Sequence, residues 1–262
     1  MQTISVFSGM AYSYVPQEEQ KDLFKLEGMN ICRCFQDDND DWWFTSRELM
    51  YYVDIDSGEP IYEWENPWTG ETVNVNHVAN NPVMGGFGPG DGEFPLDTVM
   101  NGKIATSVQD INLYYPNPMA HQEHFMEYSP QDWYEGGEFF KWFIDADELK
   151  TEGPSISDKA YYAWSRTSQW LPWMKMGDRP GTLLYSTTGS VVDSIDDLPP
   201  YMVKDIRERL PLYANAPKCV LDMEDETSWT YFMKNFDAYL NGDQFPVPAP
   251  DVDFPCKVVP KK

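Results

Sequence analysis

Between residues 24 and 81, nearly every break in the apolar pattern carries turn chemistry, and this property constrains the fold more than any other. The segments LFKLEGMNICRCF, WWFTSRELMYYVDIDSG and EPIYEWENPWTGETVNVNHVANNPV read as antiparallel strands joined by tight turns. Asp56-Ser57-Gly58 and Trp68-Thr69-Gly70 close two of them. The strand over 42–55 alternates cleanly, because side chains two apart share a face. Trp43, Thr45, Arg47, Leu49, Tyr51 and Val53 fall on one side; Trp42, Phe44, Ser46, Glu48, Met50 and Tyr52 fall on the other.

Further strand patterns occupy 3–15, 103–114, 137–145, 160–170 and 181–192, and Gly9 interrupts the first as barrel bends often require. The fold expected is mainly β: a single domain over 1–262, built as one lipocalin-like antiparallel barrel of about eight to ten strands. A two-sheet sandwich is the alternative. The last third changes character. Pro199-Pro200 opens a helix through Leu210, and a second runs from near Thr227 to a C-terminal cap at Gly242. The segment 195–242 is expected to pack on the barrel, with 243–262 as an extended proline-rich tail. The Gly/Pro-rich stretch 80–100 reads either as a lid over a pocket mouth or as a disordered insertion.

Charge narrows the function classes. Against 43 acidic side chains stand 19 basic ones, a formal net charge of −24. Such a surface repels phosphate backbones and anionic headgroups, so neither nucleic acid nor a membrane surface is expected as a partner. With no leader pattern and no apolar run of about eighteen residues, the expectation is a soluble, cytoplasmic protein. Ten Trp, sixteen Tyr and fourteen Phe suit a wide interior, either as packed core or as walls for a hydrophobic small molecule. Exposed aromatics serve equally well in a homodimer interface. Cys32 and Cys34 lie two apart on one strand face, which matches neither CxxC nor a zinc knuckle. Reduced structural thiols are expected, and a Cys219–Cys256 bridge over the tail stays open.

No nucleophile elbow, phosphate loop, dinucleotide fingerprint or zinc spacing is present. His121 and His124 in HQEH, with Glu127, lack HExxH spacing and read as surface residues rather than metal ligands. Alternation instead points His77 into a valine face. Arg47 and Arg166 are embedded among aromatics in WFTSRELMYY and YYAWSRTSQW. A buried guanidinium needs a partner, which Glu48, Glu138 or Asp110 can supply. The bland reading is a structural ion pair. The sharper one puts the arginines beside a ligand carbonyl or carboxylate, with His77 or Glu138 moving a proton.

Several segments carry a family resemblance: EGMNICRC at 27–34, SRELMYYVD at 46–54, EWENPWTGETVNVNHVANNPV at 63–83, YPNP at 115–118, WSRTSQWLPWMKMGDRPG at 164–181 and ETSWTYF at 226–232. Together they resemble the domain-of-unknown-function family 1838 of bacteria and fungi. The resemblance implies no activity, but it draws attention to Asn30, Arg33, Arg47, Asn66, His77 and Arg166.

The functional expectation is a cofactor-free isomerase, cyclase or lyase acting on a hydrophobic metabolite inside the barrel. His77, Arg47, Arg166 and Glu138 would carry the chemistry. Asn30, Arg33, Trp43, Tyr51, Trp64, Asn66 and Trp164 would contact the ligand, with no metal. A carrier of the same shape and a metal-dependent hydrolase or oxygenase are the alternatives.

Overall fold

The alternating segments become β1 (Thr3–Tyr14), β2 (Lys21–Gln36), β3 (Trp42–Val53), β6 (Val78–Gly86), β7 (Thr98–Asn101), β8 (Ile104–Pro116), β9 (Trp133–Asp145), β10 (Tyr161–Ser168) and β11 (Thr182–Val192). A short hairpin, β4 (Glu63–Glu65) and β5 (Thr72–Asn74), is inserted before β6. The structure, a computed structural model, describes residues 2–86, 98–150 and 160–257. Nine strands form one sheet in the order β6-β3-β2-β1-β11-β10-β9-β8-β7, antiparallel at every pairing.

The sheet curls strongly. In a flat sheet, β3 and β10 would lie about 19 Å apart, four inter-strand spacings. Yet Glu48 of β3 is electrostatically coupled to Arg166 of β10 and Glu138 of β9. Their shared face is therefore concave. Even so, the closed lipocalin-like barrel expected from the strand count does not form: among the described residues, β6 and β7 are the end strands of a half-barrel and do not pair with each other. The reason lies on the outer edge of β6. The Glu226 carboxylate accepts from the Asn81 N–H at 3.1 Å, and the Asp225 carboxylate accepts from the Met84 N–H at 2.9 Å. The Glu226 N–H donates in turn to the Pro82 carbonyl at 2.8 Å. These contacts occupy the groups that a closing strand would use, and they blunt an edge that would otherwise invite pairing.

Helix α1 (Pro200–Glu208) packs on the convex face of β2 and β3, where the Tyr51 hydroxyl donates to Asp205 at 2.7 Å and Tyr201 donates to Glu27 at 2.5 Å. The second expected helix begins at Thr227 with a capping box, as its sequence suggests. It breaks at Asn235 into α2 (Ser228–Lys234) and α3 (Phe236–Asn241), and Gly242 caps the latter at φ 74°. With the turn Pro172–Met174, α2 plugs one end of the concave face. Trp173 packs on Phe24, Tyr52 and Trp64, and Trp229 packs edge-on to Tyr134. Both faces of β3 are consequently buried from Thr45 onward, except at Glu48.

The tail is held more firmly than its composition suggests. A Cys219–Cys256 disulfide spans 37 residues, and Leu221 bridges Cys256 through the backbone. Cys32 and Cys34 are free thiols. Of the expected 80–100 loop, residues up to 86 continue β6 and 98–100 belong to β7, while 87–97 lie outside the described residues. Among those described, no helix is long and apolar enough to cross a membrane.

Candidate functional site

Cross-strand pairing assembles a polar cluster in the middle of the aromatic concave face. Two residues of β6, Asn81 and Pro82, oppose the single residue Arg47, a bulge that sets Asn80 directly across from Glu48. On the other side, Asn30 of β2 is the direct partner of Glu48. The two amides clamp its carboxyl group: Asn30 Nδ2 donates to Oε1 at 3.2 Å and Asn80 Nδ2 to Oε2 at 3.1 Å. Facing this pair across the trough, Arg166 sits between Glu138 and Tyr185, its partners on β9 and β11. Its Nη1 lies 3.2 Å from Glu138 Oε1, and its Nη2 donates to the Tyr134 hydroxyl at 2.6 Å.

Aromatic rings continue the trough beside this cluster. Phe140 stacks on Trp142 at 5.9 Å and on Trp164 at 6.2 Å, while Trp142 meets Tyr162 at 4.9 Å and Phe7 meets Trp164 edge-on at 5.2 Å. Two glycines make room for this shelf. A Cβ on Gly28 would lie 2.2 Å from the Phe7 ring, and one on Gly189 would lie 2.4 Å from Tyr162. Phe7, Phe140 and Trp142 remain half-buried, so the shelf is reachable from outside.

Protonation differs across the cluster. Burial, and then the negative charge of Glu138, push the Glu48 carboxyl above the ordinary glutamate range; the two amides and Arg166 only partly offset this. Arg166 stays charged, because Tyr134, Glu138 and Tyr185 outweigh its own burial. Burial raises the Tyr52 phenol to about 12 and that of Tyr185 further, so both are hydroxyl donors. One carboxyl poised to hold a proton and one committed to an ion pair is the division of labour found where acid–base work is done.

The same face concentrates buried polar atoms without a hydrogen-bond partner. They are Trp164 Nε1, Arg166 Nε, Asn80 Oδ1 and Ser107 Oγ, while the Tyr52 and Tyr185 hydroxyls interact with each other. Buried polar groups are normally satisfied, and leaving each unpaired costs about 1–3 kcal/mol. Most of these can donate, so the trough is suited to an acceptor oxygen on a ligand.

Of the residues singled out by sequence, Asn30, Glu138, Trp164 and Arg166 come together here, and the Arg166–Glu138 pair is one of those anticipated. The others do not join them. Arg47 is buried on the opposite, convex face. It donates to Asn81 Oδ1 at 2.7 Å, to the Asn215 carbonyl and to Asp253 of the tail at 2.7 Å, rather than to Glu48, Glu138 or Asp110. Fully satisfied in this way, it holds the tail and faces no trough.

His77 is fully buried among Tyr51, Tyr52 and Tyr62, and its Nδ1 accepts the Tyr52 N–H at 3.1 Å. Burial, reinforced by Arg209, lowers it to about 3, so it is neutral, and Tyr52 is the cluster residue it touches. Asn66 Oδ1 accepts from the Trp68 N–H in its turn, while Nδ2 ties that turn to the Met174 carbonyl. Trp64 belongs to the aromatic plug, Trp43 binds Asp37, Arg33 binds Gln2 and Tyr51 binds Asp205.

Glu48, Tyr52, Tyr134, Tyr185 and Asn80 complete the cluster and were not singled out as site residues. For Glu48 a signal existed: a lone acid among Trp42, Phe44, Met50 and Tyr52 on one strand face.

Two surface depressions are also present, the larger bordered by Phe7, Tyr162 and Gly189 of the strands that carry the shelf. One, of about 390 Å³, lies between Tyr62, Asn74 and Phe245; the other, of about 740 Å³, lies against Glu27, Tyr161 and Pro200. Neither includes a member of the polar cluster. His121 pairs with Asp132 at 3.5 Å, and His124 sits in a short 3-10 turn against Phe125. Among the described residues, no three His, Cys, Asp or Glu side chains converge to hold a metal ion.

The chain belongs to the family described as protein of unknown function, DUF1838, whose model matches residues 1–236. No curated protein and no solved structure matches it.

Proposed function

We propose that the concave trough binds a planar, hydrophobic small molecule bearing an acceptor oxygen, and that the protein is a cofactor-free proton-transfer enzyme of isomerase or lyase type. The observation that carries this reading is the coincidence of unpartnered donors, a charged arginine and a proton-retaining carboxyl on one aromatic face. The ring system would lie on the Phe140–Trp142–Trp164 shelf. Its oxygen would accept from Arg166 Nε and Trp164 Nε1.

Glu48 in its ionised form would take a proton from a carbon adjacent to the conjugated system, the electron pair moving onto the oxygen. Return of that proton to a different carbon completes an isomerisation; departure of a β-substituent completes an elimination. The raised Glu48 pKa suits both directions of transfer, since efficient acid–base groups titrate near the working pH. Arg166 and Trp164 would stabilise the charge where it develops. Asn30 and Asn80 orient the carboxyl.

We infer Glu48 rather than His77 as the acid–base group, because the imidazole is buried, held neutral and braced on the Tyr52 backbone. The net charge of −24 supports a small-molecule partner over nucleic acid or membrane. The Cys219–Cys256 disulfide supports an oxidising compartment over the cytoplasm.

The test uses the compound recovered with the protein. Glu48→Gln should bind it within a few-fold of wild type yet lose at least about 100-fold in turnover, the usual contribution of a general acid–base group. Full turnover by Glu48→Gln refutes the assignment. Binding of a compound that wild type leaves unchanged means a carrier instead.

A further inference from the structure

Cys32 and Cys34 lie on the concave face of β2 beyond the polar cluster, and the proposed function makes no use of them. Cys32 is half-buried, Cys34 is exposed, and the two thiols are hydrogen-bonded to each other. They stay free although the chain carries a disulfide elsewhere. Strand geometry explains why.

Residues two apart on a strand have Cα atoms about 6.7 Å apart with nearly parallel Cβ directions. That is the upper limit of what a disulfide spans, and disulfides also require Cβ atoms within about 4.5 Å. Two metal–sulfur bonds of about 2.3 Å each, set end to end, reach about 4.6 Å between sulfurs and fit that spacing without moving the backbone. The pair is therefore shaped for a bridging atom rather than a direct bond.

We propose that Cys32 and Cys34 form a two-thiolate site for a soft monovalent cation, Cu(I) being the type case. Thiolate sulfur selects such ions, which accept two ligands where zinc demands four. Among the described residues no third ligand completes a larger site. Loading balances as two thiols plus M⁺ giving a bis-thiolate complex and two protons released to solvent. Their hydrogen bond lowers Cys34 and, with burial, raises Cys32, so Cys34 loses its proton first and the metal must displace the proton of Cys32. The net charge of −24 favours a cation nearby.

Titrating the intact protein anaerobically with Cu(I), against a chromophoric Cu(I) chelator, tests this. Wild type should bind one equivalent. Cys32→Ser and Cys34→Ser should each weaken binding by at least about 100-fold, the loss expected when a two-point attachment becomes single. Cys34→Ser alters an exposed side chain, so an unchanged melting curve shows that its loss is not unfolding. Single variants binding within about threefold of wild type overturn the proposal. So does ready air oxidation of wild type to a Cys32–Cys34 disulfide, a loss of two hydrogens in the mass spectrum.

Discussion

Replacing Arg166 with Met keeps an unbranched side chain in the trough but removes the cation of its polar cluster. The expected cost follows from the geometry. Arg166 and Glu138 are 3.2 Å apart and their side chains are 19% and 18% exposed. Breaking a fully buried pair costs about 3–5 kcal/mol, whereas exposed pairs contribute about 0–1 kcal/mol. At roughly four-fifths burial, about 2–3 kcal/mol is the reasonable share for this pair. The 2.6 Å hydrogen bond to Tyr134 is lost as well. A bond of that charge-assisted kind adds about 1.5 kcal/mol, not fully additively.

Arg166→Met should therefore destabilise by about 3–4 kcal/mol, a drop in Tm of about 6–8 °C for a chain of this size. Two carboxyl groups, Glu48 and Glu138, would then face each other without their cation, so the loss should shrink as the pH falls. Denaturant unfolding of wild type, Arg166→Met, Glu138→Gln and the double variant closes a cycle, with an expected coupling of about 2 kcal/mol. A coupling below about 0.5 kcal/mol would mean a solvated arginine, and the reasoning about a desolvated trough would fail.

Other consequences can be checked on the same protein. Because the folded-state pKa of Glu48 is raised, its contribution is full at low pH and fades as the pH climbs above the ordinary value of 4.5. Glu48→Gln should therefore gain Tm relative to wild type progressively from pH 4 towards neutrality, and a pH-independent difference would contradict the assignment. Reducing the Cys219–Cys256 disulfide, which closes 37 residues, should cost about 4 kcal/mol by loop entropy. It should also expose the backbone near Asp253 to hydrogen exchange by loosening the contact with Arg47; protection unchanged after reduction would show that the tail is held otherwise. Gly28→Ala should cost about 1–3 kcal/mol by driving its Cβ into the Phe7 ring, measurable by thermal unfolding and relieved in Gly28→Ala/Phe7→Ala. No relief in the double variant would mean that the ring is not the obstacle.

Alternation and turn chemistry made the strands legible, because side-chain period and glycine-bearing turns are local properties. The helix cap at Thr227 and the stop at Gly242 were legible for the same reason. Arg166 and Glu138 were recognisable as partners because few acids lie on aromatic strands. What stayed hidden depends on register and curvature. Nothing local in β3 indicates that Glu48 will face Arg166 across four intervening strand spacings.

Arg47 finds its carboxylate 206 residues away in a tail that composition made look loose. The inward direction of His77 was correct, but only its three tyrosine neighbours reveal the burial that keeps it neutral. The barrel stays open because Asp225 and Glu226 occupy the β6 edge, a contact that strand counting cannot foresee.

The most direct measurement is the native mass spectrum of the protein purified gently from its own host, beside Arg166→Met and Glu48→Gln expressed in that host. A conjugated organic mass bound one-to-one to wild type, absent from Arg166→Met and retained by Glu48→Gln, is the result expected of a trough that binds through its arginine and reacts through its glutamate. The same mass bound equally by wild type and Arg166→Met would place the ligand elsewhere and contradict the account.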